Sequence, residues 1–298
     1  MLNLFRAEYY KLWKNKSFYI CALIGAGLTL LLYSTLFLVD NLEKAETQQG
    51  QGGVTITAKV QEDTASPEGA DITAETGNPQ ETGGSAETMP MSQRIGIMGV
   101  IEQMMSGSFA GFIISIFVCI FVIGEYGNGA IKNVVGKGHS RKAVFLTKLL
   151  TVELAALLLN LMIVGACLLF GAILLGKDGI QSIHWADLAA FTGIQLAFSA
   201  ALVSIVTWIG ELTRSLAAGI SLSLALVMFS TSLTAGLDLV FHDLNWKPSS
   251  YWLLDLQTTP LADVCQGDFI IRAAVISLGW FLAAALAGTL HFQKSDIK

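Results

Sequence analysis

Six long apolar runs constrain the fold of this 298-residue chain more than any other feature of its sequence. A transmembrane helix needs about 20 mainly apolar residues, because each residue adds about 1.5 Å along the helix axis. Only 14% of the residues are charged, against about 25% in a typical soluble domain. The sequence therefore predicts an all-α integral membrane protein whose six spans are residues 18–39, 104–124, 149–175, 188–209, 215–240 and 269–290.

The lysines and arginines divide unequally between the two sides of the predicted spans. With six spans both chain ends lie on one side, and that side carries 12 of the 18 Lys and Arg residues. Short loops rich in Lys and Arg remain in the cytoplasm. The pattern therefore predicts a multi-pass membrane protein with both termini in the cytoplasm, a cytoplasmic loop at 125–148 and a cytoplasmic tail at 291–298.

The segment before the first span, residues 1–17, is amphipathic. Leu2, Phe5, Tyr9 and Leu12 recur at helical spacing, and most of the cations lie off that stripe. Such a helix can lie in the lipid headgroup plane with its apolar side toward the acyl chains. We expect an interfacial helix here, the alternative being an ordinary positively charged flank of the first span.

Two segments are predicted to lie outside the cell. Residues 40–103 include a stretch, 40–93, with ten acidic residues and two lysines. Because so polar a stretch buries too little apolar surface to offset its ordering entropy, we expect a poorly ordered loop. Residues 241–268 contain Trp246 and Trp252 among other aromatic residues, which favour the membrane interface, and a short interfacial helix is expected there.

The predicted cytoplasmic loop is unusually rich in glycine and cations. The stretch from 124 to 148, GEYGNGAIKNVVGKGHSRKAVFLTK, holds five glycines and five of the 18 Lys and Arg residues. A phosphate-binding loop needs Gly, four residues, then Gly-Lys-Ser/Thr, but Gly138 follows Lys137 and Ile131 stands five residues before Gly136. The spacing excludes a nucleotide site in this loop.

Three polar residues fall inside predicted spans and are candidates for a translocation path. They are Glu153, Asn160 and Gln195. Ionisable groups inside a membrane are costly and often functional. The alternatives are structural: Glu153 would reach water or pair with a loop cation, and the two amides would hydrogen-bond between helices. One shallow acid is too few for a proton relay, which disfavours an ion-coupled carrier.

The loop sequence resembles that of permeases of the type-two ABC exporter family. The matching positions are Glu125-Tyr126, the small-residue turn 127–129, Ile131-Lys132-Asn133, the stretch 138–141 and Lys148. Ala130 replaces the usual threonine. The N-terminal FRAEYYKLWKNKSFY is similar to that family's interfacial helix, and six spans with a long first external loop also fit. The closest similarity is to the bacitracin or lantibiotic export and immunity subgroup.

The resemblance implies a fold with a cytoplasmic coupling helix between spans two and three, and no catalysis by this chain. Such a helix docks on a separate ATPase, and the residues implied in coupling are Glu125, Tyr126, Ile131, Lys132, Asn133 and Arg141. The implied partners are two ATPase subunits, which hold the ATP and magnesium, a second permease that is identical or paralogous, and the lipid bilayer. No metal site and no nucleic acid are expected.

The function that the resemblance implies is ATP-driven export of an antimicrobial peptide or another amphipathic compound across the bacterial cell membrane. Two alternatives from other classes remain at this point. One is an ion-coupled secondary transporter, and the other is a non-transporting scaffold or sensor subunit. No soluble segment that is expected to fold is large enough to act as a sensing domain, which disfavours a sensor.

Overall fold

The computed structural model describes residues 2–50, 91–106, 108–127, 134, 136, 140–181, 183–241, 247–264 and 267–294. Within these ranges the regular elements are all helical, and six helices are long and apolar enough to cross a membrane. The prediction of an all-α membrane protein with six spans is confirmed. The helices are α1 (Leu2–Lys14), α2 (Lys16–Gly50), α3 (Met91–Ser106), α4 (Ser108–Gly127), α5 (Arg141–Gln181), α6 (Trp185–Thr213), α7 (Leu216–Val240), α8 (Leu253–Gln257), α9 (Leu261–Val264) and α10 (Gly267–Lys294), with a 3-10 turn at Pro248–Tyr251.

Two of the six long helices form the centre of the bundle. The most apolar stretches of α4 and α6 are 61% buried, whereas those of α2 and α10 are 17% buried. Helix α4 packs against α7 and α6, and α6 packs against α10. The outer helices present large apolar side chains such as Leu23 and Leu239 to the surroundings. A contiguous apolar surface of this kind is the one that acyl chains cover.

The predicted external loop at 40–103 is helical at both ends, although the apolar stretch of α2 ends at Val39, where the sequence predicts the end of the first span. Helix α2 continues to Gly50, and α3 occupies 91–106. Ile97, Ile101 and Met105 recur at helical spacing and are buried, because α3 packs against α2 and α5. The predicted span 104–124 is correspondingly two helices, and the apolar stretch long enough to span lies in α4, at Phe109–Tyr126. The rest of the predicted loop, 51–90, lies outside the described residues.

Helices α5 and α6 extend beyond the predicted spans into residues assigned to loops. Helix α5 begins at Arg141, eight residues before the predicted start, and α6 ends at Thr213. An apolar run indicates which part of a helix lies in the bilayer. It does not indicate where the helix ends, because the backbone hydrogen bonds can continue beyond the apolar run. The chain also departs from helical geometry near the end of α5, at Gly176, whose positive φ of 68° suits a residue without Cβ.

The N-terminal helix, the start of α5 and the end of α10 meet at one end of the bundle, hereafter the terminal end. A small apolar cluster joins them, with the rings of Phe145 and Phe292 6.1 Å apart. Its buried members are Leu4, Val144, Phe145, Leu149 and Phe292. Arg141 donates a hydrogen bond to the backbone oxygen of Gln293, 3.2 Å away. These contacts join the first and the last helix of the chain through the start of α5.

The buried face of α1 differs from the predicted apolar stripe. Leu4, Glu8 and Leu12 are buried, whereas Tyr9 is 37% exposed and Trp13 is 44% exposed. The i, i+4 spacing of the three buried residues places them on one face of the helix. Helix α1 therefore turns an aliphatic and acidic face to the protein and leaves Tyr9, Tyr10 and Trp13 at the surface.

At the opposite, distal end, short helices close the bundle between α7 and α10. Leu253, Leu254 and Leu256 of α8 are buried. Gln257 donates from Nε2 to the backbone oxygen of Met105 at 3.1 Å. The expectation of a short helix in 241–268 agrees with α8 and α9, while Trp246 lies outside the described residues.

Candidate functional site: a charged cluster and a lateral cavity

Four charged side chains from three helices meet at the terminal end, and we call them the charged cluster. They are Glu8 and Lys11 of α1, Glu125 of α4 and Lys148 of α5. Lys11 Nζ lies 2.7 Å from Glu8 Oε1 and 3.1 Å from Glu125 Oε1. Lys148 Nζ lies 3.2 Å from the other oxygen of Glu125. The formal charges balance, with Glu125 bridging two lysines.

Lys148 is the most deeply buried cation of the cluster. Its side chain is 3% exposed, against 40% for Lys11. It also donates to the backbone oxygen of Val122 at 3.3 Å and lies 5.2 Å from the centre of the Tyr126 ring. Burying an ammonium group is costly unless it is paired and hydrogen-bonded, so these contacts offset part of the cost of placing Lys148 inside the protein.

Two carboxylates compete for the single ammonium group of Lys11. Burial, and after it the negative charge of Glu125, raises the pKa of Glu8 above its ordinary value of 4.5. Burial by itself lowers the pKa of Lys11, but the adjoining carboxylates of Glu8 and Glu125 outweigh it and raise that pKa. Lys11 therefore stays charged across the physiological range, and Glu8 is the member of α1 that changes charge first as pH falls.

Replacing Glu8 with glutamine is expected to flatten the fall in stability as pH rises above about 4.5. A carboxyl group with a raised pKa in the folded chain stabilises the fold most below its unfolded pKa, and that contribution is lost as pH rises through the folded pKa. The measurement is the unfolding midpoint of both proteins in detergent from about pH 4 to 8. A difference between them that is constant with pH would contradict the raised pKa.

Three of the six residues implied in coupling lie in the described part of the chain, and the other three lie outside it. Glu125 belongs to the cluster, and Tyr126 lies beside it, with its ring also 5.7 Å from the guanidinium carbon of Arg214. Arg141 contacts the end of α10. Ile131, Lys132 and Asn133 lie outside the described residues, as does most of the predicted coupling helix.

Glu211 lies in helix α6, not in the loop where the sequence places it. It is 2% exposed, and the positive charge of Arg214 lies nearby. Arg214 ends the helix in the left-handed conformation, with φ of 50°, and its backbone N–H donates to the oxygen of Gly210. Only Arg214 and Ser215 separate α6 from α7, so the two helices are joined by a minimal turn.

A cavity of about 450 Å³ lies between α5, α6 and α10, with α1 at one side, and we call it the lateral cavity. Its walls are mainly apolar. The lining side chains come from α1 (Phe5), α5 (Leu150, Glu153, Leu154, Ala156, Leu157, Asn160), α6 (Leu196, Ser199, Ala200) and α10 (Phe281). Two of the three translocation candidates, Glu153 and Asn160, thus line one space.

Among the described residues, the polar groups of Glu153 and Asn160 bond within α5 and to the neighbouring helix α6. Glu153 Oε1 accepts a hydrogen bond from the Ser204 hydroxyl at 3.0 Å. Asn160 Nδ2 donates to Ser199 Oγ at 3.1 Å and to the backbone oxygen of Ala156 at 3.0 Å. Of the two structural alternatives for Glu153, pairing with a loop cation is not observed among the described residues, where Lys148 is paired with Glu125.

Gln195, the third translocation candidate, lies apart from the lateral cavity. It is 1% exposed, and its Nε2 donates to the backbone oxygen of Gln257 at 3.0 Å. Gln257 in turn bonds to Met105 at the end of α3. The two glutamines therefore connect α6, α8 and α3 at the distal end, as the structural alternative of hydrogen bonding between helices describes.

Sequence reasoning missed two members of the charged cluster, Glu8 and Lys11, and it gave Lys148 no partner. Glu8 and Lys11 are three residues apart, a spacing that brings side chains together on a helix, so that pair was visible in the sequence. Lys11 and Glu125 are 114 residues apart. No local pattern connects residues at that separation.

A comparison with protein-family models finds no match for this chain, and a comparison with curated proteins finds none.

Proposed function

We propose that this chain is the membrane-spanning permease subunit of an ATP-driven exporter similar to the type-two ABC exporters. The observation that supports it best is the position of the charged cluster. Glu125 and Lys148 stand at the two ends of the predicted coupling loop, and their side chains bond to each other at 3.2 Å. The first and last residues of the loop therefore form a buried ion pair. This pair would fix both ends of the loop to the helix bundle while a partner protein moves the loop.

The cluster gives Glu125 a role different from partner contact. Its carboxylate is 17% exposed and accepts from lysines on α1 and α5, so it anchors the loop. A displacement of the loop by a docked ATPase would reach α4 and α5 directly and α1 through Lys11. In this proposal Ile131, Lys132 and Asn133 make the partner contact, and Arg141 ties the start of α5 to the end of α10.

The remaining parts of the proposal follow the charge distribution and the resemblance. The terminal end faces the bacterial cytoplasm, as the excess of Lys and Arg there favours. ATP and magnesium belong to two copies of the separate ATPase, and a second permease completes the exporter. The exported compound is an antimicrobial peptide or another amphipathic molecule, and the catalysis of ATP hydrolysis lies outside this chain.

The first test is copurification from the native membrane. We expect an ABC ATPase in equal number with this chain, and we expect Ile131→Asp to reduce the copurified ATPase by at least about tenfold, because a charge replaces the apolar contact at the centre of the docking surface. Lys177→Ala, at the opposite end of α5, is the matched control and should retain the ATPase.

A second variant separates docking from coupling. Glu125→Ala with Lys132→Ala should abolish transport and the stimulation of ATP hydrolysis in the reconstituted complex. If assembly and transport both survive in that double variant, the coupling role of these residues is wrong. Transport that persists without any ATPase would instead favour the ion-coupled carrier, for which the half-buried Glu153 is the relevant group.

A further inference from the structure

The lateral cavity holds an acid with no cation beside it in the described chain. Glu153 takes part in none of the three ion pairs of the charged cluster, which join Lys11 to Glu8, Lys11 to Glu125 and Lys148 to Glu125. Glu153 is five residues beyond Lys148 on α5, roughly 7.5 Å deeper along the helix. Its only described hydrogen bond comes from the Ser204 hydroxyl. An ionised carboxylate in such surroundings is costly unless a further donor or a positive charge approaches it.

A second acceptor in the same cavity is also unsatisfied. Asn160 is 1% exposed, and its Oδ1 has no hydrogen-bond partner among the described residues, although its Nδ2 has two. Glu153 and Asn160 are seven residues apart, about two helical turns, and so lie on one face of α5 roughly 10 Å from each other. Both groups are hydrogen-bond acceptors. A molecule that binds in the cavity would therefore need hydrogen-bond donors to satisfy them.

The other walls of the cavity are apolar and suit a ligand with an apolar chain, and the cavity opens toward the side of the helix bundle. Phe5, Phe281 and the aliphatic side chains of α5 and α6 supply most of its surface. Leu150 and Leu157, which line it, are 56% and 40% exposed, so the cavity opens on the outside of the bundle where the acyl chains lie. A volume of about 450 Å³ lies within the range of pockets that enclose one small molecule.

From this arrangement we propose that the lateral cavity binds a single-chain amphipathic amine that enters from the bilayer. Its ammonium group pairs with Glu153, a second donor reaches Asn160 Oδ1, and its apolar chain lies against Phe5 and Phe281. The proposal rests on the proposed function only in treating this amine as a compound for export. Binding itself requires no ATPase.

The test is photolabelling of the full chain in phosphatidylcholine nanodiscs with a long-chain alkylamine that carries a diazirine. Labelled residues are expected along α5 between Leu150 and Asn160 and at Phe281. Dodecylamine should compete, whereas dodecanol and dodecanoate at equal concentration should not. Glu153→Gln should reduce labelling by at least about tenfold, since it removes one partner of a desolvated charge pair.

The matched control is Glu211→Gln, the same substitution at a buried glutamate that does not line the cavity. It should leave labelling unchanged. Leu157→Trp, which fills the cavity and keeps Glu153, should also abolish labelling. This variant tests the site if Glu153→Gln does not fold. Equal labelling by the alcohol probe, or full labelling of folded Glu153→Gln, would overturn the proposal.

Two further experiments test whether the amine is a single-chain compound or a membrane lipid, and whether amine binding and ATPase binding occur independently. Competition by nanodiscs of phosphatidylethanolamine would overturn the assignment to a single-chain amine, because a two-chain lipid would then be the occupant. Amine binding without a copurifying ATPase would contradict the exporter and leave the binding site standing. An ATPase-bound complex that does not bind the amine would contradict only the site.

Discussion

Replacing Lys148 with methionine is expected to lower the free energy of unfolding by about 3–5 kcal/mol. The methionine fills most of the volume, but Glu125 then loses the ammonium group at 3.2 Å, and two carboxylates are left to share Lys11. Removing one partner of a buried pair costs more than the pair itself contributes, because the remaining charge stays buried. The measurement is unfolding in mixed micelles with increasing sodium dodecyl sulfate.

Two further variants make this expectation specific to the ion pair. Lys142→Met changes an exposed lysine on the same helix and should cost less than about 0.5 kcal/mol. Adding Glu125→Gln to Lys148→Met should recover a large part of the lost stability, since no uncompensated carboxylate remains at the end of α4. A Lys148→Met protein as stable as Lys142→Met would show that the pair contributes nothing.

Gly171→Ala is expected to destabilise the fold by about 1–3 kcal/mol, although alanine favours a helix over glycine. A Cβ at this position would lie 2.6 Å from Ile97 Cγ1 and 2.6 Å from the Tyr33 hydroxyl oxygen. Neither neighbour moves freely, because Ile97 is 1% exposed and the Tyr33 hydroxyl donates to the backbone oxygen of Cys167 at 3.0 Å. The same unfolding titration measures the effect.

Gly165 on the same helix provides the matched control. A Cβ there would meet nothing within 4 Å, so Gly165→Ala should be neutral or stabilise the protein by up to about 1 kcal/mol through helix propensity. Similar results for the two glycines would mean that α5 does not approach α2 and α3 as closely as described. Small residues at contacts between membrane helices permit such an approach.

The six spans were predictable because membrane insertion selects for long apolar runs, and such runs are read directly from the sequence. Helix α3 was not, because Glu102 and Gln103 interrupt its apolar pattern and the acidic stretch precedes it. Its burial depends on α2 and α5, and the Glu102 carboxylate finds the backbone N–H of Leu261 at 3.3 Å. Packing against distant helices, not local composition, makes that segment helical and buried.

The candidate site was predictable in some of its residues but not in its arrangement. Glu125 and Lys148 drew attention through the loop motif, and Glu153 and Asn160 through their polarity inside an apolar run. From the sequence, Glu153 could either reach water or pair with a loop cation, and Lys148, the lysine before it on α5, is bonded instead to Glu125 of α4. Which acid a lysine contacts depends on the rotation and crossing of three helices, and those are set by side-chain packing.

The sequence by itself determined that this is a membrane protein, that it has six spans and that a charged loop joins the second and third spans. These features could be predicted because hydropathy and charge are properties of short segments. Only the tertiary structure decided that α1 lies against α5 through Leu4, and that Glu153 and Asn160 line a cavity open to the side. Those features arise between residues far apart in the chain. Their geometry is created when the helices pack, and no single segment contains it.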